Sequence, residues 1–282
     1  MNIYTISNEK MSFSASDLGA EPRSLIMGDR EWIYQYIDKN DIGLSSILFP
    51  LIGPLANDQH IIGDKIYDMP MHGFAKSSVF SLVQKKDDSL SFILKSDEES
   101  EKFYPYPFNL TVTYMLDGNK LITEYTVTNE GSGDMYYAIG SHIGFCLDYE
   151  KENYKIAFEH DMENRDDLLL FGEGIDQLEF KGNELKIKDS IFDKGCVSIG
   201  GGKSDGWKFI SGNDGSSISY FSEDFPYLTL WSVPKKPFIC LESWSFRSCH
   251  FADERSLFAL PEICTLRAGE EKTHKYILTF EK

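Results

Sequence analysis

Apolar and polar residues alternate with a period of two along much of the chain, the pattern of half-buried β-strands. In Asn109-Leu-Thr-Val-Thr-Tyr-Met-Leu116, the residues Leu110, Val112, Tyr114 and Leu116 fall on one face and threonines on the other. Asp117-Gly-Asn119 then supplies turn chemistry and residues 121–127 run back, which predicts a hairpin. The same alternation predicts strands at 89–95, 154–158, 217–221 and 274–280. Turn residues separate them at Gly131-Ser-Gly-Asp134, Gly200-Gly-Gly202 and Ser211-Gly-Asn-Asp-Gly215. Helical periodicity is scarce: residues 29–39 leave room for a short helix and 99–104 for a turn or two. Many short strands joined by polar turns predict an all-β fold, a large antiparallel sandwich or barrel with few short helices. No low-complexity linker or fixed-period repeat interrupts the chain, so a single domain over residues 1–282 is expected.

Composition narrows the partners. The chain has 28 Lys and Arg against 45 Asp and Glu, a net charge of −17, which argues against a nucleic-acid backbone or an anionic membrane surface. The longest nearly apolar stretch, 46–56, holds two prolines and falls short of the ~20 residues of a bilayer span. The first ten residues lack the basic and apolar regions of a signal peptide. Cysteines 146, 196, 240, 249 and 264 are odd in number and form no CxxC pair. Reduced thiols and a cytoplasmic location are therefore expected, and the sequon Asn109-Leu-Thr111 is read as strand.

Most local motifs fail on context. Gly202-Lys-Ser-Asp-Gly206 matches a nucleophile elbow, but Trp207-Lys-Phe-Ile-Ser211 behind it reads as strand rather than helix. It also resembles the end of a phosphate-binding loop, but valine stands at 197 where the first glycine belongs. Six histidines show no metal-ligand spacing, so no metal and no cofactor is expected. The acidic run Asp97-Glu-Glu-Ser-Glu101 lacks calcium-loop spacing and reads as a solvated face.

Three segments place a titratable residue among apolar and aromatic flanks: Met69-Pro-Met-His72-Gly-Phe-Ala75, Ile139-Gly-Ser-His142-Ile-Gly-Phe145 and Pro237-Phe-Ile-Cys-Leu-Glu242-Ser-Trp244. Taken singly, either histidine fits a hydrogen-bonded core position, and Glu242 fits the solvent side of an edge strand or a pair with Arg247. Together, in this order, they resemble the aldose 1-epimerases (galactose mutarotases), and most closely the LacX-like bacterial branch. That branch reads H-G-F-A-R, G-G-H-P-A-F and C-I-E-P-W. Weaker similarity extends through Gly19-Ala-Glu21, Phe49-Pro-Leu-Ile-Gly53, Tyr106-Pro-Phe108 and Phe225-Pro-Tyr-Leu228 with Trp231.

The resemblance implies a β-supersandwich with a sugar cleft, and interconversion of the α and β anomers of a free hexose without a cofactor. It implies Glu242 as general base at the anomeric hydroxyl and His142 as general acid at the ring oxygen, on opposite sides of the sugar. His72 becomes a donor to the same oxygen, and Lys76, Phe74, Phe145 and Trp244 become candidates to contact the substrate, with core packing an equal alternative for the two phenylalanines. Two alternatives within the fold are a hexose-6-phosphate 1-epimerase and a carbohydrate-binding protein without turnover. The chain departs from the family pattern at Lys76, Ser243 and Ile143-Gly144, and at Pro54, where members carry a substrate-contacting arginine. The sugar's identity and the oligomeric state, including a homodimer, stay open.

Overall fold

Residues 108–129 form the expected hairpin, with Phe108–Asp117 paired antiparallel to Lys120–Asn129. Leu110, Val112, Tyr114 and Leu116 are all buried and the intervening threonines are not. Gly118 closes the turn at φ +58, a left-handed conformation that glycine adopts without steric cost. The computed structural model describes residues 1–35, 45–163, 168–200, 206–248 and 262–282.

The hairpin lies inside a ten-stranded antiparallel sheet. On one side it is followed by Ser89–Lys95 and then Ser81–Lys85 at the edge. On the other side come Glu271–Glu281, Ser217–Ser222, Trp207–Ser211, Tyr154–Phe158, Glu184–Lys186 and Phe180–Lys181. Register aligns Phe92, Val112, Tyr125 and His274 in one buried row across four strands. His274 thus belongs to the core: its Nε2 lies 2.8 Å from the Tyr137 hydroxyl, and burial holds its pKa down to about 3.

A second, seven-stranded antiparallel sheet carries the chemistry-bearing segments. Its order is Leu169–Gly172, Val197–Gly200, Tyr227–Trp231, Phe238–Trp244, Gly140–Ser141 and Ile47–Leu48, with Ile143–Cys146 also paired to Phe238–Trp244. Successive side chains of a strand point to opposite faces. Ile239, Leu241 and Ser243 therefore share one face, and Phe238, Cys240, Glu242 and Trp244 the other. The first face packs toward the larger sheet, where Ser141 and Ser243 lie against Tyr276 and Tyr220. All seven residues of Phe238–Trp244 are buried, so both faces of this strand are covered. A strand covered on both faces shows no alternation in its sequence.

Smaller sheets complete the described residues: four strands within 3–31 and two two-stranded ribbons. The helix envisaged at 29–39 is not formed where the chain is described. Arg30–Glu31 pairs as a strand with Ile26–Met27, and Ile33 bridges to Phe145. The Glu31 carboxylate accepts the backbone N–H groups of Leu25 and Ile33 at 2.8 and 2.9 Å, which holds this stretch extended; residues 36–39 lie outside the described residues. At 99–104 a single 3₁₀ turn forms over Ser100–Lys102, capped by the Asp97 side chain. Of Gly202-Lys-Ser-Asp-Gly206 only Gly206 is described, and the strand expected behind it is present. Among the described residues no helix is long and apolar enough to cross a membrane.

Candidate active site

Three stretches far apart in the chain bring His72, His142 and Glu242 together. Glu242 comes from the middle of the seven-stranded sheet and is 1% exposed. One carboxylate oxygen, Oε2, accepts the Trp244 indole N–H at 3.0 Å. The other, Oε1, lies 3.3 Å from His142 Nε2. Burial pushes the Glu242 pKa well above the ordinary carboxylate range, and the indole bond offsets only part of that. The edge-strand alternative is thereby excluded, and Arg247 instead sets its guanidinium over the Phe171 ring at 5.7 Å.

His142 lies between two short strands of the same sheet, and its backbone N–H donates to the Ser46 carbonyl at 3.0 Å. Its ring meets His72 edge-on, with centroids 5.8 Å apart, and Trp231 at 5.7 Å. The carboxylate and the imidazole are therefore in contact rather than on opposite sides of a sugar-sized gap.

His72 sits in a tight turn, where the Gly73 N–H donates to the Pro70 carbonyl at 2.8 Å. Its φ is +66, a left-handed conformation uncommon for a residue with a Cβ, held here by its neighbours. The His72 N–H donates to the Gly53 carbonyl at 3.1 Å, and the Gly53 N–H donates back to His72 Nδ1 at 3.1 Å. An amide N–H can only donate, so Nδ1 is the accepting nitrogen and the neutral ring carries its proton on Nε2. Burial first, then the charges of His142 and Lys76, push its pKa well below the ordinary histidine value. His72 is thus a fixed neutral donor. Its ring lies 6.1 Å from that of Trp244.

Comparison with known proteins places the whole chain in a family. The aldose 1-epimerase family model matches residues 2–279. The chain belongs to the aldose 1-epimerase family. Protein LacX (chromosomal) of Lactococcus lactis subsp. lactis is 30% identical over 295 aligned residues, covering 97% of this chain and 98% of the relative. A galactose mutarotase-like protein from Lactobacillus casei superposes with a TM-score of 0.88 at 28% identity, covering 99% of this chain and 100% of the other. A galactose 1-epimerase from Lactobacillus acidophilus, 15% identical, shares the fold with a TM-score of 0.75 over 98% of this chain and 93% of its own.

Not every residue singled out within this aldose 1-epimerase family sequence joins the cluster. Lys76 lies on the Ala75–Ser77 3₁₀ turn, close enough for its charge to act on His72, and burial lowers its own pKa. Phe145 does not line this face. It is opposite Ile239 in the register, shares the face turned toward the larger sheet, and is 1% exposed. Phe74 packs in the core among the rings of Phe49, Phe103, Tyr104 and Phe108. Trp231 is the neighbour that sequence reasoning underweighted. Register places it opposite Cys240, two residues from Glu242, and so on the Glu242 face. Thr229, directly opposite Glu242, is also on that face, with its hydroxyl 2.6 Å from that of Ser198. Parity counted from Glu242 would have found both, had the pairing been known.

Proposed function

We propose that this protein is a cofactor-independent mutarotase of the cytoplasm that interconverts the α and β anomers of a free hexose. The observation that carries this reading is the contact of His142 Nε2 with Glu242 Oε1 beside the Nε2–H donor of His72. Ring opening needs two proton transfers, one from the anomeric hydroxyl and one to the ring oxygen. Both oxygens are bonded to the same carbon, so an acid and a base that touch each other reach both.

Glu242 takes the proton of the anomeric hydroxyl, and that O–H electron pair becomes the carbonyl π bond. The bond from the anomeric carbon to the ring oxygen breaks, and His142 delivers a proton to the departing oxygen. His72 donates a hydrogen bond to the same oxygen. Rotation about C1–C2 and the reverse transfers give the other anomer. A raised carboxyl pKa makes Glu242 a stronger base once ionised, and imidazole exchanges protons near neutrality, as a reversible reaction needs. The Trp244 indole, holding Oε2, leaves Oε1 for the substrate. Trp244 and Trp231 are the aromatic walls nearest the trio, and Lys76 the neighbouring cation.

A free sugar is favoured over a phosphorylated one. Arg30 is engaged by Asp148, Asp214 and the Trp32 ring, and Arg23 by Glu21, whereas a dianion needs converging arginines. Polarimetry with α-glucose and α-galactose tests the assignment. The protein is expected to speed the drift to equilibrium, and identical drift with and without it overturns the proposal. Sugar binding by calorimetry without acceleration would leave a carbohydrate-binding module. His72→Ala is expected to lower kcat by about 10²-fold with a smaller change in KM, the effect of removing one donor from a developing anion.

A further inference from the structure

We propose that His142, Cys240 and Glu242 form a binding site for one thiophilic divalent cation of the zinc class, seated where a sugar would meet Glu242. Cys240 and Glu242 are two positions apart on one strand and project from the same face, and His142 reaches them from the neighbouring crossing of the sheet. Their donor atoms, a ring nitrogen, a thiol sulfur and a carboxylate oxygen, all lie within 4.8 Å of one another. Zinc bonds of about 2.0–2.3 Å in tetrahedral geometry place neighbouring ligands about 3.3–3.8 Å apart. The His142–Glu242 edge, at 3.3 Å, already has that length. The other edges exceed it by no more than about 1.5 Å, a rotation of the Cys240 or Glu242 side chain.

The donor set selects the ion. A thiolate beside an imidazole and one carboxylate suits Zn²⁺ or Cd²⁺, whereas Mg²⁺ and Ca²⁺ take oxygen ligands. With Glu242 and Cys240 ionised and His142 neutral, the ligands balance a charge of +2. Three protein donors leave a fourth tetrahedral position open. Cys240 is 0% and Glu242 1% exposed, so the ion would sit shielded from bulk solvent. The ion and the hexose then compete for the same carboxylate oxygen. Binding of the ion rests on the donor geometry alone, whereas exclusion of sugar rests on the hexose reading above.

The test uses the full chain, stripped with a chelator and titrated by calorimetry with Zn²⁺, Co²⁺ and Mg²⁺. One Zn²⁺ per chain is expected, with no Mg²⁺ binding. Co²⁺ should produce thiolate-to-cobalt charge-transfer absorption that added Zn²⁺ abolishes. Cys240→Ala should remove that absorption, and Cys240→Ala and Glu242→Gln should each weaken Zn²⁺ binding by about tenfold or more. Thermal unfolding checks both folds, and if Cys240→Ala does not fold, Glu242→Gln decides. Absence of Zn²⁺ binding, an equal response to Mg²⁺, or charge-transfer absorption that survives in Cys240→Ala overturns the site. Zn²⁺ should also slow mutarotation, and the hexose should raise the apparent Zn²⁺ Kd; bound Zn²⁺ without either effect overturns the competition. If the chain shows no mutarotation at all, the cobalt spectrum still decides the metal site.

Discussion

Glu242→Gln should reduce the mutarotation rate by roughly 10²–10⁴-fold and, at neutral pH, raise the melting temperature by a few degrees. The two effects have one cause. The amide keeps the size of the carboxyl group, and its oxygen can still accept the Trp244 N–H, but it cannot take a proton from an anomeric hydroxyl. Burial raises the Glu242 pKa in the folded chain above its unfolded value. The stability contributed by the protonated carboxyl is therefore complete below the unfolded value, about 4.5, and is lost as pH rises through the folded one. Near pH 7 the wild type bears this loss and the glutamine variant does not. Thermal unfolding from pH 4 to pH 8 should show the variant's advantage growing with pH. A variant that is less stable at pH 7, or that keeps its rate, contradicts this account of the carboxyl.

Gly73→Ala should destabilise the fold by about 2–5 kcal/mol and displace His72. The φ of Gly73 is +75, where a residue with a Cβ costs about 1–2 kcal/mol. A Cβ there would also stand 2.1 Å from the Phe49 carbonyl oxygen and 2.7 Å from the Pro50 nitrogen. Both are main-chain atoms in a buried segment and cannot swing aside, which adds about 1–3 kcal/mol of overpacking. Gly118→Ala supplies the comparison, because its φ is +58 but a Cβ there meets nothing within 4 Å. That variant should cost only the conformational part. Denaturant midpoints and kcat distinguish the two: Gly73→Ala should lose both stability and turnover, and equal behaviour of the two variants would refute the crowding argument.

The contrast between the two sheets explains what could be read beforehand. The 108–129 hairpin was legible because one face is buried and the other wet, so alternation is written in its residues. Phe238–Trp244 is buried throughout, and its sequence carries no period. Residues 29–39 look helical by spacing, but a single carboxylate, that of Glu31, turns the described part into extended chain.

The candidate site divides in the same way. Glu242 stood out because a carboxylate within an apolar run requires an explanation, and the ordered resemblance singled out both histidines. The clasp on His72 was not legible, since main-chain atoms of Gly53 form it and no side chain announces them. Phe145 was left open between cleft wall and core because its side depends on strand parity, which a flank rich in glycine does not reveal. Phe74 was left open in the same way because an aromatic beside a histidine reads alike whether it faces a cleft or, as here, a cluster of other rings.

The clasp between Gly53 and His72 bears on how recognition can diverge. Both bonds use the main chain of Gly53, so the side chain of residue 54 takes no part in them. Variation in the side chain at Pro54 therefore leaves the His72 imidazole anchored, so that the donor and the residues around it can evolve on separate schedules.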